Sequence, residues 1–351
     1  MKTLNIATVF TGIGSFEWSL KRNKIKSNLV FASDIDKYAK MSYEANFTEH
    51  DNYDWYDDIN EIDGKKYAGK VDILVGGSPC QSFSSIGKRG GLNDDRGNLV
   101  FSYINLISEV QPKAFIFENV KGITTHDKGK TWEIILESFR KLGYHISWEI
   151  LNSKDYGIPQ SRNRVFLVGF KDEVSNFKFP KKIDLETKMF DFLEKYTEDK
   201  YWLSEKGIKY VTDSSRLKKK LTQIDGEVML CQVKNQQGNL IGDFVSEEYI
   251  KKYVLSEKLQ KTVLKRGTTD YPIAKTILSS SHKSHYASQD NYISLNNGRI
   301  RRLTPREVLR LMGFDDDFKI VVSDTQAYKQ AGNSIVVNIF DHLVPLIIKQ
   351  L

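Results

Sequence analysis

Cysteine is almost missing from this chain, with two in 351 residues, Cys80 and Cys231. So sparse a pair, far apart in sequence, excludes a disulfide framework and a CxxC metal site. Histidine is scarce too, at six. The one close pair, His282 and His285, has no acidic or cysteine partner at ligand spacing and reads as polar loop, so no metal is expected. No apolar run approaches the length of a signal peptide or a membrane span, and Met1 to Ile6 open directly into a strand pattern, which makes the cytoplasm the expected location and a membrane no partner. Repeats and low-complexity tracts are absent. The charge excess is small: 52 Lys and Arg against 45 Asp and Glu give +7, which suits a polyanionic partner without demanding one. With 40% hydrophobic residues the chain buries a substantial core, as one large α/β domain or as two domains.

What is present is an alternation of short β-branched runs with amphipathic helices, the pattern of a mainly parallel sheet covered by helices. Strands are expected at 4–10, 28–33, 71–75, 113–117, about 145–151 and 164–170. Trp132, Ile135, Leu136, Phe139 and Leu142 form one helical stripe, with Thr131 as N-cap and Gly143 as stop. A second helix over 98–110 ends at Gln111-Pro112. After Phe170 the chain turns polar and irregular to about residue 298, the place for a second, smaller domain. Thr304-Pro305-Arg306-Glu307 then reads as a capping box with proline at the first helical position, its helix stopping at Gly313. Gly332-Asn333-Ser334 leads into an apolar helix from about Ile335 to Ile348.

Chemistry-bearing residues fall at strand ends. Val71 to Val75 runs into Gly76-Gly77-Ser78-Pro79-Cys80-Gln81, a Gly/Pro loop that presents a cysteine where open α/β sheets place ligands. Taken alone, Cys80 is either a small buried hydrophobe or an exposed nucleophile. The strand Lys113–Phe117 ends in Glu118-Asn119-Val120, and Gln160-Ser161-Arg162-Asn163-Arg164 precedes another, so a thiol, a carboxyl group and two guanidiniums stand at strand edges. Near the amino end, Phe10-Thr11-Gly12-Ile13-Gly14 follows the first strand and opens a helix, and Asp34 ends the second strand about 20 residues on, where a carboxylate meets ribose hydroxyls. The third glycine of a dinucleotide fingerprint is missing, because Glu17 occupies its place. A nucleoside without a pyrophosphate fits better.

Motif by motif and in order, the chain resembles the DNA cytosine-5 methyltransferases of bacterial restriction-modification systems. Phe10-x-Gly12-x-Gly14 resembles that family's S-adenosylmethionine loop, Asp34 its ribose acid, Asp58-Ile59 its adenine contact, and Pro79-Cys80-Gln81 its catalytic loop. Glu118-Asn119-Val120, Gln160-x-Arg162-x-Arg164, Thr304-Pro305-Arg306-Glu307 and Gly332-Asn333-Ser334 resemble the remaining blocks. The resemblance implies a Rossmann-like methyltransferase fold with residues 1–179 as catalytic and cofactor-binding domain, 180–298 as target recognition domain and 299–351 as a return segment. It implies S-adenosylmethionine held by Phe10, Gly12, Ile13, Gly14, Asp34, Ile35, Asp58, Ile59, Pro79, Leu99, Asn333 and Ser334. Double-stranded DNA is the implied partner of a monomer, in a bacterial or phage-encoded setting at the nucleoid, with a cognate restriction endonuclease as a further partner. Two departures stand out. Thr8 occupies the place where the family opens its first motif with an acid, and Ile35 the place of an aromatic residue after the ribose acid, so that apolar contact replaces adenine stacking.

By the same resemblance, Cys80 adds to carbon 6 of a flipped-out cytosine and so activates carbon 5 for methylation. Glu118 serves N3 of the base, desolvation keeping its proton; Arg164 serves the cytosine carbonyl oxygen; Arg162 and Arg164 supply the positive field that favours a thiolate; Asn119 fixes a loop. Gln81, Ser84, Ser85, Ile86, Lys88 and Arg89 belong to a hinged loop facing DNA, with Ile86 or Ser85 as wedge. Gln237, Arg266 and Lys283 lie in three polar loops that are candidates for base reading. Three rivals remain. A tRNA cytosine-5 methyltransferase would carry a Cys-Phe-Thr signature, where Cys231 is followed by Gln232-Val233. A catalytically silent DNA-binding relative would lose Cys80 or Glu118, and a nicotinamide enzyme leaves Pro79-Cys80-Gln81 unexplained.

Overall fold

The computed structural model describes residues 3–78, 95–174, 177–194, 197–215 and 303–351, with short strand segments between 223 and 302. Its centre is a seven-stranded sheet. The strands are β1 (Leu4–Val9), β2 (Ser27–Ser33), β3 (Asp54–Tyr56), β4 (Ile73–Gly76), β5 (Ala114–Val120), β6 (His145–Asn152) and, after the two-residue β7 (Gln160–Ser161), β8 (Asn163–Phe170). They lie in the order β3-β2-β1-β4-β5-β8-β6. β1, β2, β3, β4 and β5 are mutually parallel, and β8 runs antiparallel to β5. Near-continuous apolar runs such as Ile73-Leu74-Val75 and Val165-Phe166-Leu167-Val168 are buried along their length, as expected of strands covered on both faces.

Two connecting helices carry the site's supports: α1 (Ser15–Arg22) follows β1, and α2 (Lys37–Asn46) follows β2. On the sheet's other half lie α3 (Asp95–Val110) and α4 (Lys130–Lys141). Tyr103 of α3 is fully buried and its hydroxyl lies within hydrogen-bond reach of the carbonyls of Leu74 and Ile116, at 3.1 and 2.9 Å, locking α3 onto β4 and β5. Phe115 stacks on Phe139 at 4.7 Å. The N-cap of α4 differs from the sequence expectation: Gly129, at φ 90°, precedes a helix that starts at Lys130. Thr131 is inside the first turn and its hydroxyl meets His126 Nδ1 at 2.8 Å. Three consecutive left-handed residues, Asp127 to Gly129, bring the chain in at an angle that leaves the threonine no capping role.

By contacts the chain divides into two compact units: 1–151 with 163–181 and 339–351, and 152–162 with 182–338. The sheet just described belongs to the first. Within it the carboxyl-terminal helix packs Phe340 against Phe16 and Phe166, and Arg22 pairs with Asp341. The second unit holds α5 (Glu205–Val211), α6 (Pro305–Arg310) and α7 (Asp324–Asn333), while α8 (Val337–Ile348) begins in it. In α6 the Thr304 hydroxyl accepts from Glu307 N at 3.2 Å and the Glu307 carboxylate accepts from Thr304 N at 2.8 Å, the capping box read from sequence. The stretch Asp324–Ile348 is the one helical stretch among the described residues apolar and long enough to cross a membrane, and half of it is buried inside the protein. Extended Ser334 divides it, and the twelve residues of α8 cover about 18 Å against the ~30 Å of a bilayer core.

Candidate active site

Sheet register gathers the first set of motifs into one row. Ser33 pairs with Val9, Val9 with Gly76, and Gly76 with Phe117. The next residue on each parallel strand is therefore Asp34, Phe10, Gly77 or Glu118, side by side at the carboxyl edge. Strand order reverses between β1 and β4, the crevice where open α/β sheets bind ligands.

Around β1 the backbone is held in an uncommon shape. Phe10 has φ 54°, costly for a bulky residue and frequent at functional loops. Gly12 and Gly14 are also left-handed, and a Cβ on Gly14 would come within 2.3 Å of the Phe47 ring, while one on Gly12 would meet nothing within 4 Å. Asp34 closes the loop: its Oδ2 accepts from Gly12 N at 2.7 Å and its Oδ1 from Asp36 N at 2.8 Å. Ile35, beside it, is 82% exposed, an apolar platform at the edge. Of the other expected cofactor residues, Ile13 and Ile59 are buried in the core and Leu99 is half-buried against it. Asp58 caps the turn Ile59–Glu61, accepting from Asn60 N at 2.9 Å.

Sequence reading missed the support under this loop. Glu17, in the first turn of α1, is buried; its Oε1 accepts from the Thr8 hydroxyl at 2.8 Å and from the Tyr43 hydroxyl at 3.0 Å. Burial pushes its carboxyl up to about 6, against the downward pull of those hydrogen bonds. Between its ordinary value and about 6 the folded chain binds more protons than the unfolded one, so stability falls as pH rises through that window. At neutral pH the buried charge costs about 2 kcal/mol. The signal in sequence was an acid standing where a fingerprint wants glycine, but its partner Tyr43 lies on another helix.

At the β5 end, Glu118 and Arg164 are both buried, and Arg164 Nε lies 3.2 Å from Glu118 Oε1. The register that pairs Val120 with Arg164 and Glu118 with Phe166 brings the two motifs together. Glu118 is buried, and a guanidinium accompanies it there, a contact the sequence does not announce. A Cβ on Gly77 would lie 2.9 Å from Glu118 Oε2, so only glycine leaves the carboxylate its place. Asn119 Nδ2 donates to the Ser78 carbonyl and hydroxyl oxygens at 3.2 and 3.0 Å, tying β5 to the residue that precedes Pro79-Cys80-Gln81 in the chain. Pro79, Cys80, Gln81, Ser84, Ser85, Ile86, Lys88 and Arg89 lie outside the described residues, as do Gln237, Arg266 and Lys283.

The second unit collects another set. Arg162, buried, donates through Nη2 to the carbonyls of Gly332 at 3.0 Å and Ser334 at 2.7 Å. Gln160 Nε2 donates to Leu311 O at 2.7 Å. Blocks 160–162, 304–313 and 332–334 are thereby joined, with Ser334 buried and Asn333 exposed. The two arginines expected to act as a pair have separate partners: Arg162 holds backbone carbonyls, and Arg164 holds Glu118.

A family model described as C-5 cytosine-specific DNA methylase matches residues 4–349. The chain belongs to that family. It is 35% identical to the type II methyltransferase M1.ScrFI of Lactococcus lactis subsp. cremoris over 94% of this chain and 74% of that protein. It is 33% identical to the type II methyltransferase M.HhaI of Haemophilus parahaemolyticus over 97% of this chain and 93% of that one. Among solved structures, the Entamoeba histolytica methyltransferase EhMeth superposes with a TM-score of 0.72 at 18% identity, covering 99% of both chains, a likeness of fold. The methylase's sheet is accordingly that of the cytosine-5 methyltransferases, and neither the RNA-directed nor the silent rival is favoured.

Proposed function

We propose that this methylase transfers a methyl group to carbon 5 of a cytosine within a short sequence of double-stranded DNA. The observation that carries the reading is the row Asp34, Phe10, Gly77, Glu118, which sets a nucleoside-binding loop and a buried carboxylate on one edge of the sheet. S-adenosylmethionine fits the loop: Asp34 sets a carboxylate, an acceptor for ribose hydroxyls, against the Gly12 amide, Ile35 offers an exposed apolar face, and a Cβ on Gly12 would meet nothing within 4 Å. When bound, it supplies the methyl group.

The chain's own residues do the rest. Cys80, as thiolate, adds to carbon 6 of the extruded base, which makes carbon 5 an enamine carbon able to accept the methyl; loss of the carbon-5 proton to a base then expels Cys80. Glu118 faces N3 of the ring, where negative charge builds during addition, and Arg164 orients Glu118 and reaches the cytosine carbonyl oxygen. Asn119 holds Ser78, two residues before Cys80. Arg162 acts at a distance, by holding the Gly332–Ser334 segment. Base reading is assigned to 180–298, with Gln237, Arg266 and Lys283 as candidate contacts, and phosphate contacts and bracing of the vacated stack to the loop after Gln81. The test is bisulfite sequencing of plasmid DNA from cells expressing the wild type or Cys80→Ser. Methylation at one recurring short site with the wild type, none with the variant, and retained sequence-specific binding by the variant are expected; normal turnover by Cys80→Ser would end the covalent mechanism.

A further inference from the structure

The acid that the first motif lacks at position 8 is present in space. Glu17 reaches back from α1 to put its carboxylate 2.8 Å from the Thr8 hydroxyl. From there the contacts run on without a gap. Thr8 Oγ1 lies 3.1 Å from Thr11 Oγ1, and Thr11 donates to Ser33 O at 3.1 Å through its backbone N–H and accepts from Ser33 N at 3.3 Å. Ser33 precedes Asp34, whose carboxylate accepts from Gly12. We propose that Glu17 is a positioning residue for the cofactor, its carboxylate standing in for the missing acid and holding the Phe10–Gly14 loop and Asp34 in the shape that binds S-adenosylmethionine. This rests on the cofactor reading above.

Charge makes the role testable. As a carboxylate, Glu17 only accepts, and the Thr8 and Tyr43 hydroxyls both donate to it. A proton on the carboxyl weakens the acceptor and adds a donor among groups already turned to donate, so Thr8 must reorient and the strain passes to Thr11 and the loop. The ionised form is the binding form, and affinity falls as pH drops through about 6. Other titratable groups near it are Tyr43 on α2, pushed up by burial and by Glu17, and Tyr53, pushed up by burial with Glu44 and Glu17 adding. Glu49 acts on Tyr43 and on His50. His50, pushed down by burial, stacks on Phe47 at 6.1 Å, the ring that lies against Gly14, so it needs its own control.

Calorimetric titration of the full chain with S-adenosylmethionine, without DNA, between pH 5 and pH 8 tests the proposal. Wild-type affinity is expected to be roughly tenfold weaker at pH 5 than at pH 8, following the ionised fraction. Glu17→Gln should bind roughly tenfold more weakly than wild type at pH 8, stay flat with pH, and melt no lower than wild type at pH 8, because the amide relieves a buried charge. Tyr43→Phe keeps the ring, removes one donor and should move the midpoint to higher pH; His50→Gln should leave it in place. Equal and pH-flat affinities of wild type and Glu17→Gln, a midpoint unmoved by Tyr43→Phe, or one abolished by His50→Gln would each overturn the proposal. A wild type that takes up no S-adenosylmethionine at pH 8 overturns the cofactor reading itself, and the proposal with it.

Discussion

Gly77 shows how little room the Glu118 carboxylate has. The closest atom to a methyl group placed on its Cα would be Glu118 Oε2 at 2.9 Å, with the Glu118 carbonyl at 3.5 Å, so Gly77→Ala moves the carboxylate by a few tenths of an ångström without touching the core. Turnover is expected to fall on the order of tenfold or more, with S-adenosylmethionine affinity and the unfolding midpoint close to wild type; single-turnover kinetics beside a thermal melt check both. Unchanged turnover would mean that Glu118's position is not critical. At this scale the sequence was legible where a polar residue interrupts an apolar strand: Asp34 announces itself by following directly on β2, and Glu118 by lying near the end of β5. It was not legible where the meaning of a residue lies in a contact made far along the chain. Glu17 gains its role from Tyr43, and Glu118 its guanidinium from Arg164, 26 and 46 positions away.

Elements differ in how clearly they are written. The stripe of α4 and the capping box of α6 are plain, because large apolar side chains and paired caps leave a local trace. α2 is not, since its buried face is Ala39, Ser42, Tyr43 and Asn46, a helical spacing filled by small and polar residues that hydrophobic periodicity overlooks. β3 is three residues long, too short for any alternation to register. The box on α6 carries an element-level expectation. Thr304 is buried, caps Glu307 N, and also meets the Glu194 carboxylate. Thr304→Ala should destabilise the fold by about 1 to 2 kcal/mol, seen as a lower urea midpoint at unchanged slope, and Thr304→Ser should recover most of it. No loss in the alanine variant would show that Glu194 and water satisfy this helix start unaided.

For the whole molecule, the proposal separates reading from chemistry. Exchange of residues 180–298 for those of a relative with a different target should transfer the relative's sites, as scored by bisulfite sequencing, while S-adenosylmethionine affinity stays that of the parent, because Phe10, Gly12 and Asp34 are untouched. A folded chimera that still methylates only the parent's sites would place the reading elsewhere in the chain. The sheet edge bears on a different question, how such a protein tolerates change over generations. Asp34, Phe10, Gly77 and Glu118 each follow directly on a residue of one register row. Lengthening or shortening the crossovers at the far edge leaves that row untouched, whereas deleting one residue inside β1, β2, β4 or β5 pulls a motif back by about 3.3 Å and turns it to the other face. Insertions and deletions should therefore accumulate in this lineage between the strands and almost never within them.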